Sequence, residues 1–227
     1  MWPGGKDGAG VAQRLINQIP PHDVFVSAFL GDCAVMRRLK PASLSIGIDL
    51  DRENIDRWAA NAAACGVPDR TAFFCCDAVE WLRHRFGWYH VAATGDGAPV
   101  ARPTMLAVPA SSSAATSSGA TRWFVYADPP YMLATRKSAA QLYKHEMSDA
   151  AHVRLLETLR WLPCLVMVSH YPCDLYSDYL AGWRSVSYTH LRAHETVLDL
   201  VCRLLLDKKK THTHTLHYVS TPTRAST

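Results

Sequence analysis

The sequence predicts an α/β domain built on a mostly parallel sheet with helices on both faces. Two observations carry that expectation. Short apolar runs of strand length recur near residues 23–30, 43–49, 71–76, 123–127 and 164–169, with helix-like segments between several of them. Three of these runs stop at an acid, Asp49, Asp77 or Asp128. In a parallel sheet the three acids would converge on one rim, and doubly wound sheets bind ligands outside the carboxyl ends of their strands.

From Asp23 to Ala28 the pattern is that of an apolar strand; Phe29, Leu30 and Gly31 form a glycine turn, and a helix-like segment follows through Leu39. Strand, glycine loop and helix in the first βα position is a nucleotide-binding arrangement. The second strand, from Ser43, ends at Asp49 and Asp51. An acid at such a tip can accept both ribose hydroxyls of a nucleoside cofactor, and that role is assigned to Asp49. Asp51 is expected to cap the next helix, where Ile55, Trp58, Ala59, Ala62 and Ala63 recur at helical spacing until Gly66; Trp58 is read as core. A third strand, from Thr71, ends at Asp77.

Trp81, Arg83, His84, Arg85 and Trp88 form a basic, aromatic stretch that fits either phosphate tracking or an ordinary amphipathic helix. Residues 92–99 and 110–119 are Ser/Ala/Gly-rich, a composition that rarely packs. The strand from Trp123 to Ala127 then runs into Asp128, Pro129, Pro130 and Tyr131. Proline has no N–H to continue a ladder, so the chain must turn there. The turn offers acceptors and no amide donors from the two prolines, beside a carboxylate and a ring able to stack on a flat ligand. That set suits the exocyclic amine of a nucleobase. The amine of adenine is a poor nucleophile because its lone pair is delocalised into the ring; two acceptors on its hydrogens favour a pyramidal, more reactive nitrogen that can take a methyl group from a sulfonium. Beyond the turn, a helix is expected from Ser148 with Leu155, Leu159 and Leu162 as its buried stripe. A fifth strand spans Cys164 to Ser169, and His170 after it is read as a surface or structural histidine.

The segment Asp128 to Tyr131 resembles motif IV of the N6-adenine DNA methyltransferases, specifically the small phage-type DNA adenine methylases. The resemblance runs in family order from the N-terminus to about Arg184. Trp2, Gly4, Gly5 and Lys6 are similar to the family's N-terminal Gly-Gly-Lys motif, which implies that Trp2 and Lys6 lie near the methyl donor. Phe29 and Gly31 match a Phe-x-Gly-x-Gly loop in which Cys33 replaces the second glycine, a departure expected to crowd the donor's methionine moiety. Asp77 matches the position that accepts a hydrogen bond from the donor's adenine amine. Thr135, Arg136, Tyr143, Glu146, Met147, Tyr171, Leu175, Tyr176 and Leu180 through Trp183 continue the match.

What the resemblance implies is a Rossmann-like, class I AdoMet-dependent methyltransferase domain. S-adenosylmethionine would be the cofactor, bound by Trp2, Lys6, Phe29, Gly31, Asp49, Asp77 and Asp128, with no metal. Double-stranded DNA would be the partner, with a loop-rich recognition insertion within residues 78–122. An adenine rotated out of the duplex would stack on Tyr131 and be held by the Asp128 carboxylate and the Pro129 carbonyl, with Asp128, Pro129, Pro130 and Tyr131 the catalytic set. Glutamine-methylating relatives of this fold carry Asn in place of Asp128, which favours a nucleobase. An RNA adenine methyltransferase and a catalytically silent nucleic-acid-binding remnant are the alternatives.

Residues 186–227 resemble translated sequencing-library adapter, with Lys208 to Lys210 as poly-A read-through, so the methyltransferase domain is expected to span residues 1–185. A His-rich metal site at His212, His214 and His217 is the competing reading of that tail. With the family's final strands missing, one sheet edge would be unpaired or filled by Val197 to Leu206. The tail holds six of the 24 basic and three of the 20 acidic residues, so without it the formal charge falls from +4 to +1. Net charge therefore says little for nucleic acid, and a DNA face must come from local clustering. The seven cysteines form no CxxC pair, as expected for a reducing cytoplasm without zinc or disulfides. No apolar run is long enough to span a bilayer. The expectation is a soluble monomer in the cytoplasm of a bacterium or phage-infected cell.

Overall fold

The computed structural model describes residues 10–60, 62, 70–87, 121–136, 142–192 and 195–205. Trp2, Lys6, residues 88–120 and the His/Thr-rich stretch from 206 onward lie outside the described residues.

The described elements run α1 (Val11–Ile16), β1 (Val24–Ser27), α2 (Ala34–Arg38), β2 (Leu44–Asp49), α3 (Arg52–Ala60), β3 (Thr71–Cys75), α4 (Ala78–Arg85), β4 (Trp123–Ala127), α5 (Asp149–Trp161), β5 (Leu165–His170), α6 (Asp174–Tyr179), β6 (Arg184–Arg192) and β7 (Glu195–Leu205). They build one sheet in the order β3-β2-β1-β4-β5-β7-β6. Strands β1 to β5 are mutually parallel; β7 pairs antiparallel with β5, and β6 with β7. This is the expected α/β, Rossmann-like fold with a mostly parallel sheet. Its first five strands follow doubly wound order, which reverses direction between β1 and β4.

Alternation along the strands explains the two layers of helices. Val24 and Val26 of β1, Val125 and Ala127 of β4, and Val166 and Val168 of β5 share a core with Val79 and Leu82 of α4, Leu155 and Leu159 of α5, and Tyr176 of α6. The intervening Phe25, Phe124, Tyr126 and Met167 face the other way, onto Val11 and Leu15 of α1, Met36 of α2, and Ile55 and Trp58 of α3. Because both faces are covered, the central strands are apolar at nearly every position. In α4, Trp81 and Leu82 are buried while Arg83 donates to Thr158 Oγ1 at 2.9 Å and Arg85 lies 4.4 Å from the Trp123 ring centroid, so this helix is amphipathic and these two arginines are engaged within the fold.

Local chemistry sets the helix starts. The Asp77 side chain accepts from Glu80 N at 2.8 Å and Ser148 Oγ from Ala151 N at 3.2 Å, as N-caps of α4 and α5. Asp51 Oδ1 accepts from Glu53 N at 3.1 Å, the expected capping contact at α3. Gly47 sits inside β2 because a Cβ there would come within 2.8 Å of Leu30 Cδ2, so the β1 loop packs directly on the strand. At the far edge, β7 pairs along β5, with Val168 opposite Arg203 and His170 opposite Val201, so that edge is filled.

His170 is buried and stacks on Tyr176, with ring centroids 4.1 Å apart, a structural placement. His152 of α5 is fully buried beside the same ring, with Nδ1 2.9 Å from the Tyr176 hydroxyl. Burial pushes its imidazole down to about 4 from the usual 6.5. The unfolded chain therefore binds a proton between those values that the folded chain refuses. Stability from neutral His152 is complete above pH 6.5 and declines as the pH falls toward 4, by on the order of 3 kcal/mol over the window. Urea unfolding at stepped pH should record that decline in the parent chain and a flatter profile in His152→Leu; parallel profiles would contradict the assignment.

Candidate active site

The reversal between β1 and β4 leaves a crevice outside their carboxyl ends. Gly31, in the loop after β1, has φ +44°, a left-handed conformation that favours glycine. Its peptide groups are held on both sides. Gly31 N donates to Asp49 Oδ2 at 2.7 Å, and Gly31 O accepts from Asn54 Nδ2 at 2.9 Å and Trp58 Nε1 at 2.8 Å. Asn54 Nδ2 also reaches Asp49 Oδ2 at 2.8 Å, and Asp49 Oδ1 accepts from Asp51 N at 2.9 Å. Asp49 thus binds the glycine loop to the start of α3. Asn54 and Trp58 were missed as site-shaping residues. The available signal was a polar Asn four residues before Trp58 on one helix face, since a buried amide needs partners.

Cys33, which stands at the second glycine of the resembled motif, has φ −52° and needs no glycine. Its Sγ accepts from Met36 N at 3.3 Å, capping α2, and burial pushes the thiol pKa up. Cys33 is not among the residues that line the cavity at the strand tips.

Asp128 follows β4 directly. Its Oδ1 accepts from Ser169 Oγ at 2.8 Å and, more distantly, from the Tyr131 hydroxyl at 3.4 Å. Pro129 is buried, and the Tyr131 ring is 6% exposed and packs against Tyr171 with centroids 4.3 Å apart. Arg136 grips the turn from behind. Its Nε donates to Tyr131 O at 2.7 Å, Nη2 reaches the same carbonyl, and Nη1 pairs with Glu146 Oε1 at 2.8 Å. Glu146 also accepts from Leu142 N at 3.0 Å and Tyr143 N at 3.1 Å, and the Arg136 guanidinium holds its carboxyl down at about 2. The same guanidinium lies 4.9 Å from the Tyr143 ring centroid.

These pieces enclose a cavity of about 590 Å³, within the range of small-ligand sites. Asp49, Asp77 and Asp128 all line it, together with Phe29, Gly31 and Pro130. Tyr143, Lys144 and Met147, from the segment that Arg136 and Glu146 fix, line it as well. Lys144 Nζ bridges to Asp51 Oδ1 at 2.8 Å and Glu53 Oε2 at 3.1 Å, which lowers the Asp51 pKa. Pro129 and Tyr131 are not on the wall; the aromatic ring that shares it with Asp128 is Tyr143 or Phe29. Among the described residues no group of His, Cys, Asp and Glu side chains is placed to hold a metal, and no helix is long and apolar enough to cross a membrane.

No protein-family model matches the chain, and no curated protein sequence does. Solved structures of similar shape include an rRNA methylase from Streptococcus thermophilus (9% identity, 85% of this chain and 92% of that one, TM-score 0.45). An S-adenosylmethionine-dependent methyltransferase from Agrobacterium tumefaciens shares 12% identity over 85% of this chain and 58% of its own (TM-score 0.45). A dimethyladenosine transferase from Plasmodium falciparum shares 12% over 87% and 61% (TM-score 0.46).

The lock on Gly31 should be measurable. Trp58→Phe keeps an aromatic ring but removes the indole donor and leaves a small cavity in the core, at a cost of about 2–3 kcal/mol; Asn54→Leu strips donors from both Gly31 O and Asp49 and should cost about 2–3 kcal/mol in urea unfolding. Indifference to both substitutions would show that the loop does not depend on them.

Proposed function

We propose that this chain is an S-adenosylmethionine-dependent methyltransferase that methylates N6 of adenine in double-stranded DNA. The observation that supports it most is the meeting of Asp49, Asp77, Asp128 and the Gly31 loop around one cavity at the reversal of strand order.

The cavity suits a nucleoside-bearing cofactor. Ala78, Val79 and Met147 give it apolar wall for a flat ring. Asp49 Oδ1 has a second lone-pair site beyond the Asp51 amide for ribose hydroxyls, and Asp77, with one oxygen on the α4 cap, has another for an amino group. Phe29 and Gly31 would lie alongside. S-adenosylmethionine, when bound, supplies an electrophilic methyl group on a sulfonium.

Asp128, which lines the same cavity, accepts from the amine of an extruded adenine and draws the nitrogen lone pair out of the ring. It holds the amine hydrogen while the nitrogen takes the methyl, and the proton departs afterwards, so no strong base is required. Arg136 keeps the Pro-Pro turn in place through the Tyr131 carbonyl. Such catalysis is positioning and electrostatics. The choice of DNA follows the motif resemblance, with target reading assigned to the interval 78–122. We assign residues 1–185 to the methyltransferase domain, working as a cytoplasmic monomer, and residues 186–227 to a non-native tail.

A labelled-methyl assay offering duplex DNA, RNA and protein in turn tests this. Label should enter DNA, and Asp128→Ala should lower kcat by about 10²–10³-fold. Asp77→Ala should instead raise the KM for S-adenosylmethionine by about tenfold with kcat nearly intact, the loss of one ligand hydrogen bond. Label entering RNA alone would replace the substrate, and transfer that survives Asp128→Ala would remove the assigned site.

A further inference from the structure

We infer that Ser169, backed by Tyr126, is a positioning residue that sets the Asp128 carboxylate for its substrate. This rests on the reading of Asp128 as the acceptor for the adenine amine.

Strand register brings the three residues together. β4 and β5 run parallel with Tyr126 beside Met167 and Ala127 beside Val168, so the next step along each chain sets Asp128 beside Ser169. Tyr126 and Asp128 are two residues apart, as are Met167 and Ser169, and residues at that spacing share a sheet face. Tyr126 and Met167 belong to the core on the α1–α3 side, which fixes which face it is. Tyr126 is 1% exposed and Ser169 fully buried, so water does not compete for their hydroxyls.

The direction of the hydrogen bonds follows from counting hydrogens. A serine hydroxyl has one, and an ionised carboxylate has none to give. Ser169 Oγ lies 2.8 Å from Asp128 Oδ1, so its hydrogen goes there. The contact of 3.1 Å between Tyr126 Oη and Ser169 Oγ must then carry the phenol hydrogen to the serine oxygen. The chain runs one way, from Tyr126 to Ser169 to Asp128, and a donor that is itself accepting is the stronger donor. Tyr131, at 3.4 Å from the same Oδ1, adds a weaker hold. Together they oppose rotation of the carboxylate about its Cβ–Cγ bond.

That rotation matters because a carboxylate that grips an amine must keep its acceptor within a few tenths of an ångström of the productive place. Arg136 fixes the backbone of the turn but touches Tyr131 O and Glu146, with no contact to the Asp128 carboxylate in those bonds. The Ser169 hydroxyl acts on the carboxylate itself. In the sequence Ser169 was only the last residue of an apolar strand, and its position opposite Asp128 is visible only once β4 and β5 are paired.

The test compares parent, Ser169→Ala, Ser169→Thr, Tyr126→Phe and Asp128→Ala chains in steady-state methyl transfer to DNA, with calorimetric titration of S-adenosylmethionine and a crystal structure of Ser169→Ala. Ser169→Ala should lower kcat about 10- to 100-fold, leave S-adenosylmethionine affinity unchanged and show Asp128 turned from its parent rotamer. Tyr126→Phe should lower kcat less, about threefold to tenfold, because the serine still donates. Ser169→Thr, which keeps the hydroxyl, should restore most of the rate. A merely structural serine would lower the unfolding temperature of the alanine variant while leaving kcat and the Asp128 rotamer as they were, and that result overturns the inference. Should Asp128→Ala remain active, or the parent transfer no methyl to any substrate, the proposed function falls and takes the catalytic meaning of Ser169 with it.

Discussion

The backbone of one residue carries much of this architecture. Gly31 turns the chain in a left-handed conformation at the end of β1, and its N–H and C=O are taken by Asp49, Asn54 and Trp58. Without those bonds a loop beside an open crevice would have backbone groups facing apolar walls, a loss of about 1–3 kcal/mol for each buried group left unpaired. With them, the tip of β2, the start of α3 and the loop after β1 become one rigid corner. The Leu30 side chain packed on Gly47 completes it from the sheet side.

The second corner is built differently. At the end of β4 the two prolines stop the ladder, and the turn is held by side chains: Arg136 on the Tyr131 carbonyl, Glu146 on Arg136, and the Leu142 and Tyr143 amides on Glu146. The same carboxylate therefore ties the turn to a segment that lines the cavity. Arginine suits this place because its planar fork can serve a carbonyl and a carboxylate at once, which a lysine ammonium does not match. The two corners face each other across the strand reversal. Asp49, Asp77 and Asp128, at the tips of parallel strands, line this single cavity together.

Much of the frame was legible in the sequence. The strands around Val24, Leu44, Thr71, Trp123 and Leu165 were readable because buried parallel strands are nearly continuous apolar runs, and the caps at Asp51 and Ser148 because capping is local. The convergence of the three acids was readable too, since parallel strands put their carboxyl ends on one rim. What was not legible depends on distant contacts. Tyr131 reads as a stacking surface, yet Tyr171, forty residues on, covers it. Trp58 reads as core and is core, but its indole N–H is spent on Gly31, 27 residues earlier. Cys33 reads as a replaced glycine, and that its thiol also caps α2 through the Met36 amide is seen only in the folded chain. The pairing of β7 with β5 likewise required the register of segments more than thirty residues apart.

The account turns on whether the cavity between the two corners is a nucleoside-cofactor site. A crystal structure of the chain soaked with S-adenosylhomocysteine addresses that directly. The account predicts the ligand in this cavity, its ribose hydroxyls on the Asp49 carboxylate, its adenine amine on Asp77 and its sulfur toward Asp128. Ligand bound elsewhere, or bound here without contact to Asp49 and Asp77, would contradict it.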